Sequence, residues 1–295
     1  MMSNDSVRFW QPTPKAATEL ACAYLEVGWV RPHVHEEWQF AVSERPSKLS
    51  VGAFRRYPAG ATDITVVAPY AVHTEGGAAG PPARWRVLYV APSILSEVCR
   101  GLAETAACDA PGLSGAILAD PAGAAELGAL LRASEDGKID GSEFLARALR
   151  WLEQLLRRHA GKVAIPARMP AVERARAYLQ DRPTQPVSLP EVGAVAGVTV
   201  SHLVRSFSRV VGLPPKSYHA QIRLARARRL LGQGKSATWV AYECGFADQS
   251  HLSRRFRESY GLTPGAFQAQ YRRERAAAAM VTQSGRLTGV GSNAA

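Results

Sequence analysis

The sequence predicts an α+β chain in two parts: a small N-terminal β-barrel with trailing helices, and a C-terminal all-α domain that uses one helical unit twice. Three observations carry this reading. Short strand-forming runs separated by turn residues fill positions 20–90, a helical pattern in the last third recurs at an offset of 49, and the excess positive charge is confined to the segment with the recurrence. A chain of 295 residues is long enough for both cores.

Taken from the N-terminus, residues 1–14 read as a flexible lead. Strands are expected over 21–30, 38–42, 49–57, 64–67 and 85–90, with turns at Gly28, Pro58-Ala59-Gly60 and 75–82. Their spacing suits a small barrel or jelly roll over 15–118. Within it, Pro32-His33-Val34-His35-Glu36-Glu37-Trp38-Gln39 places His33 and His35 on the same side of a strand, because side chains alternate; Glu36 and Glu37 cannot both share that side. Pro69-Tyr70-Ala71-Val72-His73 adds a third imidazole on a candidate neighbouring strand. Polar groups converging in a small barrel favour a ligand site, so His33, His35, Gln39 and His73 are the candidate effector-binding residues. Packing histidines without a ligand and a bound metal are the alternatives.

Helical patterns follow over 124–131 and 143–159, inside a segment from 119 to 160. Phe144, Ala148, Trp151, Leu152, Leu155 and Leu156 form its apolar stripe. Residues 161–169, with Pro166, read as the interdomain linker.

From 170 to 275 the signals are those of capped helices. Ser188 is placed as N-cap of a short helix with Pro190 and Glu191 in its first turn, and Gly197 stops it. The next helix contains Ser201-His202-Leu203-Val204-Arg205-Ser206-Phe207 and ends at Gly212-Leu213-Pro214-Pro215. That block returns as Ser250-His251-Leu252-Ser253-Arg254-Arg255-Phe256 with Gly261-Leu262-Thr263-Pro264, preceded by a helix from Ala237 to Cys244 that Ser236 caps and Gly245 ends. Leu203, Phe207 and Val210 form one buried stripe, Leu252 and Phe256 another, and Trp239, Val240 and Cys244 line the short helix. Ser201, Val204, Arg205 and Ser208 then face outward, as do Ser250, Ser253, Arg254 and Arg257. Two helices joined through glycine make a helix-turn-helix, and a third helix over 215–231, ended by Gly232 and Gly234, joins the two units. Residues 276–295 read as a disordered tail.

Charge gives this domain a partner. Residues 168–275 carry eighteen Lys and Arg against seven Asp and Glu, whereas residues 1–167 carry seventeen against eighteen. A basic surface confined to the repeated unit suits the phosphates of double-stranded DNA.

These residues resemble the AraC/XylS family of bacterial transcription regulators, most specifically along Ala225-Arg226-Ala227-Arg228-Arg229-Leu230-Leu231 and along 240–264. The resemblance implies groove-facing positions at Ser201, Val204 and Arg205 in the first unit, and at Gln249, Ser250, Ser253 and Arg254 in the second. Arginine there suits guanine O6 and N7, glutamine suits adenine N6 and N7, and Val204 offers only apolar contact. His202 and His251 are expected to pack or meet the backbone. The connecting helix would set two sub-sites about 34 Å apart. The N-terminal half resembles the cupin barrel that serves as effector-binding domain in many such regulators. Metal-binding cupins place a glutamate where this chain has Gln39, so no metal and no cofactor are expected. The resemblance further implies a homodimer through 120–160, contact with RNA polymerase, and activation as the commoner mode. The expected function is a sequence-specific transcription regulator under a small-molecule effector, and not an enzyme. A metal-dependent cupin enzyme with an accessory DNA module, and a constitutive architectural DNA binder, are the alternatives.

Composition narrows the setting. No run of eighteen uncharged apolar residues occurs and Met1–Lys15 lacks a signal-peptide core, so a cytoplasmic protein without membrane contact is expected. Cys22, Cys99, Cys108 and Cys244 are isolated in sequence and suggest neither zinc nor a disulfide framework.

Overall fold

Nine strands and nine helices are found among the residues that the computed structural model describes, namely 7–12, 20–27, 31–52, 55–77, 83–103, 116–159 and 169–273. The strands are β1 (Val7–Trp10), β2 (Leu20–Val27), β3 (Trp38–Ser43), β4 (Ser47–Val51), β5 (Arg55–Ala59), β6 (Asp63–Val67), β7 (His73–Gly77), β8 (Ala83–Val90) and β9 (Ala116–Ala119). They build two antiparallel sheets, a six-stranded one in the order β1-β2-β8-β3-β6-β9 and a three-stranded one in the order β5-β4-β7. This is the two-sheet form of the expected barrel.

β9 was not expected, and three further departures from the expected strands have local causes. Residues 7–10 are no flexible lead: Val7, Phe9 and Trp10 are buried, and the strand pairs with β2. The run 49–57 is a hairpin of two strands, turned at Gly52 with φ +64, a conformation that glycine adopts without strain. Residues 73–77, expected partly as turn, form β7, paired with β4 from Val51↔His73 to Ser47↔Gly77.

Helix α1 (Pro92–Ala103) follows β8 and was not foreseen. Helices α2 (Pro121–Glu135) and α3 (Gly141–His159) cover the larger sheet. The whole predicted stripe of α3, from Phe144 to Leu156, is buried against Phe40, Ile64, Val66 and Leu88 of the same chain. Trp151 also donates its indole N–H to the Gly123 carbonyl at 2.9 Å. This stripe is therefore used within the protomer, and only the opposite sides of α2 and α3 remain outward.

The C-terminal helices are α4 (Pro170–Asp181), α5 (Leu189–Ala196), α6 (Val200–Val211), α7 (Pro215–Gly232), α8 (Ala237–Glu243) and α9 (Gln249–Tyr260). Ser188 caps α5 in a reciprocal capping box with Glu191, and Gly197 closes it at φ +72. The offset of 49 carries α6 onto α9 residue for residue, including the closing Gly212 (φ +91) and Gly261 (φ +75). Leu203, Phe207, Leu252 and Phe256 are buried as expected. Two positions differ. Val211 takes the buried place assigned to Val210, and Trp239 is 44% exposed while Val240, Ala241 and Cys244 face the core.

The two halves are not separate cores. One cluster joins Val7, Phe9, Val87 and Tyr89 of the barrel to Leu224, Leu231, Phe256 and Phe267. Another joins Val34 and Val72 to Val172, Leu203, Phe207 and Tyr218. The first is edged by Phe9, whose ring meets Phe267 at 5.1 Å and whose backbone N–H donates to Gln270 Oε1 at 3.1 Å. Each helix-turn-helix unit thus shares apolar packing with the barrel.

Candidate nucleic-acid interface and ligand site

The outward face of each recognition helix follows from its caps and its stripe. Thr199 accepts from the His202 N–H and Asp248 from the His251 N–H, fixing where α6 and α9 begin. With the leucines and phenylalanines turned inward, Ser201, Arg205, Gln249, Ser250 and Arg254 are exposed, and Val204 and Ser253 half-buried. His251 meets the backbone as expected, accepting from the Ala247 N–H at 3.4 Å beside the Phe246 ring. His202 instead lies exposed on α6. Gln249 has a side-chain partner on the preceding helix: the Thr238 hydroxyl donates to its Oε1 at 2.8 Å. Sequence spacing gave no sign of that bond.

The four barrel residues singled out by sequence come together. The His33 and His73 ring centroids are 4.2 Å apart, His35 and His73 4.8 Å, and His33 and His35 6.2 Å. All are buried, as is Gln39, whose amide donates to the Glu75 carboxylate. His33 and His35 share a side as alternation requires, although their segment is extended chain and not a strand; His33 makes only an isolated bridge to His73. Each Nδ1 is committed to a backbone carbonyl: His33 to Arg31 at 2.9 Å, His35 to Glu37 at 2.6 Å and His73 to Ala71 at 3.0 Å. A ring nitrogen facing a carbonyl must carry the proton, so Nε2 is left as the bare acceptor on all three rings. Burial lowers the His33 pKa to about 4 and holds His35 and His73 well below the usual imidazole value, with the nearby Arg228 charge adding to the effect.

Four further residues complete the site. Glu75 is buried on β7, and burial raises its carboxyl to about 7 against the opposing bond from Gln39. Tyr89 packs its ring 5.3 Å from His35. Arg228, from α7, lies over Tyr89 at 4.4 Å, and Tyr260, from α9, sets its ring 6.3 Å from His33. Four polar atoms in this group are buried without a hydrogen-bond partner among the described residues: His35 Nε2, His73 Nε2, Tyr260 OH and Arg228 Nε. Two accept, one donates, and the hydroxyl does either. Unpaired buried polar atoms are costly, and convergent ones mark a place for a polar ligand. No three His, Cys, Asp or Glu side chains among the described residues stand where they could hold a metal ion, and a buried guanidinium beside the imidazoles opposes a cation. The set does not fit a resident metal.

The same segment reaches the DNA-side helices. Neither Glu36 nor Glu37 faces solvent alone: Glu37 pairs with Arg228 at 2.5 Å and Glu36 with Arg229. The Arg228 and Glu37 side chains are 4% and 14% exposed. Burial opposes the Arg228 charge, but the Glu37 carboxylate more than compensates and holds its pKa above the ordinary value. Nearby, Tyr218 on α7 donates to the Tyr70 carbonyl at 3.1 Å. Sequence reading missed Glu75, which sits in a predicted turn, and Arg228, which lies 191 residues from its partner Glu37.

Residues 26–156 match an AraC-like ligand binding domain, and residues 192–270 match a helix-turn-helix domain. The chain belongs to the AraC/XylS family. Curated relatives resemble this AraC-type chain over part of its length. The uncharacterized HTH-type transcriptional regulator YbfI of Bacillus subtilis is 31% identical over 105 residues, 35% of this chain and 38% of that protein. The HTH-type transcriptional activator RhaS of Klebsiella pneumoniae is 35% identical over 75 residues, 25% of this chain and 27% of that one. The aligned part thus spans well under half of either relative. Over the whole AraC-type fold, the apo structure of a ToxT variant from Vibrio cholerae superposes with a TM-score of 0.54 at 12% identity, covering 85% of this chain and 97% of that chain. No helix among the described residues is long and apolar enough to cross a membrane. Cys99 and Cys244 are both buried, and burial raises the Cys244 thiol to about 12; Cys108 lies outside the described residues.

Proposed function

We propose that this chain is a sequence-specific, double-stranded-DNA-binding transcription regulator controlled by a small organic effector. One observation carries the proposal. The five residues from His33 to Glu37 hold two imidazoles of the ligand site at one end and, at the other, two carboxylates bonded to Arg228 and Arg229 of α7, the helix that joins the DNA-reading units. The His35 ring is itself bonded to the Glu37 carbonyl, so a ligand that turns His35 acts on the Arg228 partner directly. Ligand binding then favours one setting of α7 over another, which is what coupling between two sites requires.

In this reading His33, His35, Gln39 and His73, with Glu75, Tyr260 and Arg228, contact the effector. Its chemistry follows from the unpaired atoms: N–H or O–H groups for the imidazole acceptors, and a carboxylate or similar acceptor for Arg228 and Tyr260. ToxT has been solved bound to an unsaturated fatty acid and to (E)-4-(8-methylnaphthalen-1-yl)but-3-enoic acid, both carboxylic acids, which supports that class. Ser201, Val204, Arg205, Gln249, Ser250, Ser253 and Arg254 contact DNA. The protein works in the cytoplasm without enzymatic activity, as an activator that meets RNA polymerase, and as a homodimer through the outward sides of α2 and α3 within 120–160.

Selection of bound sequences from random duplex DNA by the full chain, repeated with a panel of small carboxylic acids, tests the proposal. A consensus with two sub-sites about one helical turn apart is expected. At least one acid is expected to raise the melting temperature and shift DNA affinity, with both responses lost in His35→Gln. Equal affinity for all sequences would refute the regulator reading in favour of an architectural one.

A further inference from the structure

The Thr238 hydroxyl lies on α8, outside either recognition helix, yet it donates at 2.8 Å to the amide oxygen of Gln249, the first residue of α9. Both side chains are exposed on the face expected to meet DNA. In the first unit the offset of 49 puts Leu189 opposite Thr238 and Val200 opposite Gln249, so the bond has no counterpart there.

We infer that Thr238 is a positioning residue that decides which base Gln249 reads. The inference rests on the proposed DNA-binding role of α9. A free glutamine reads adenine by using both ends of its amide together, with the oxygen accepting from N6 and the NH2 donating to N7. With the oxygen turned back to Thr238 and one of its lone pairs taken, the NH2 is the end of the amide left free for the groove. A donor without an adjacent acceptor matches the all-acceptor edge of guanine, N7 and O6, and loses half of its match to adenine. The bond also restricts a flexible side chain before DNA arrives, reducing the ordering cost at the interface. The second unit therefore discriminates through a pair of residues on two helices, whereas the first has only apolar groups at the same places.

The test is selection from random duplex DNA with the full-length wild type, Thr238→Val and Thr238→Ser, followed by affinity measurement on the selected site with each base at the position read by Gln249. Valine keeps the β-branched shape and loses the hydroxyl; serine keeps the hydroxyl. The wild type is expected to select guanine at that position. Thr238→Val is expected to lose about fivefold of that preference, the worth of one hydrogen bond, and to gain adenine. Thr238→Ser is expected to retain the wild-type preference, with all three melting at the same temperature. A wild-type consensus that Thr238→Val leaves unchanged, or a loss that is uniform across the four bases, overturns the inference while leaving the regulator intact. Failure of the wild type to select any consensus would instead sink the DNA-reading proposal beneath it.

Discussion

Replacing Glu37 by glutamine removes one charge from a pair whose other member cannot reach water. Arg228 and Glu37 meet at 2.5 Å with side chains 4% and 14% exposed. Placing the charge centres about 4 Å apart in a medium of effective dielectric about 20 gives an attraction of about 4 kcal/mol. That agrees with the roughly 3–5 kcal/mol lost when a buried pair is broken from one side. Tyr89 lies beneath the guanidinium at 4.4 Å before and after the change and cancels from the difference, so about 4 kcal/mol is the expected loss. Urea unfolding followed by far-ultraviolet circular dichroism and tryptophan fluorescence measures it. Arg228→Met should cost a comparable amount, because it strands the carboxylate. The double variant Glu37→Gln, Arg228→Met should recover most of the loss, since neither residue then carries an unpaired charge. A coupling energy below about 0.5 kcal/mol in that cycle would refute the reasoning, showing two independent side chains where a pair is claimed.

Arg254→Ala is expected to cost about 1–3 kcal/mol of discrimination at one base position; an equal loss on every sequence would mark Arg254 as a phosphate contact instead. His33, His35 and His73 stay neutral in the fold but ionise near 6.5 once unfolded, so the unfolded chain binds more protons and stability falls as pH drops from 6.5 towards 4. A pH–stability profile of His73→Gln should show a shallower acid limb than the wild type. Glu75 works in the opposite sense: its folded value of about 7 against an ordinary 4.5 withdraws stability as pH rises through that interval, and Glu75→Gln should recover about 3 kcal/mol at pH 8. No recovery in thermal melts at pH 8 would mean that the carboxylate is compensated in the fold. Light scattering on a gel-filtration peak should give about twice the 31.8 kDa chain mass; a monomer at micromolar concentration would remove the proposed interface on α2 and α3.

The C-terminal half was legible because its determinants are local. A cap, a stripe and a closing glycine all fall within one helix, so Ser188, Leu203, Phe207 and Gly212 could be placed from spacing alone. Even there, period counting put Val210 inside and left Val211 out, because successive residues on a helix edge differ by only one step of rotation. Trp239 was misplaced for a different reason: its size suggests a core residue, but the core beside α8 is filled by Val240, Ala241 and Cys244. The barrel was legible as a class and less so in detail. Trp38–Val42 and Trp85–Val90 read well because β-branched and aromatic residues dominate them. β1, β9 and α1 were missed, and β7 was obscured by the glycines in His73-Thr74-Glu75-Gly76-Gly77. At the ligand site, the histidines announced themselves by composition. Glu75, Tyr260 and Arg228 did not, since strand pairing and domain packing bring them in from distant positions.

Gly52 gives the barrel a role that its histidines do not. A side chain on this residue would stand 2.9 Å from the carbonyl oxygen of Val210, near the end of the first recognition helix, while Phe9 touches Phe267 just beyond the second. The three-stranded sheet therefore rests on the first reading head and the six-stranded sheet reaches the chain just beyond the second, as the frame of a caliper holds both jaws. In the proposed regulator the distance between sub-sites would be gauged by the barrel as well as by α7. A chain freed of its barrel would tolerate operators with extra or missing base pairs between sub-sites, and the intact chain would not.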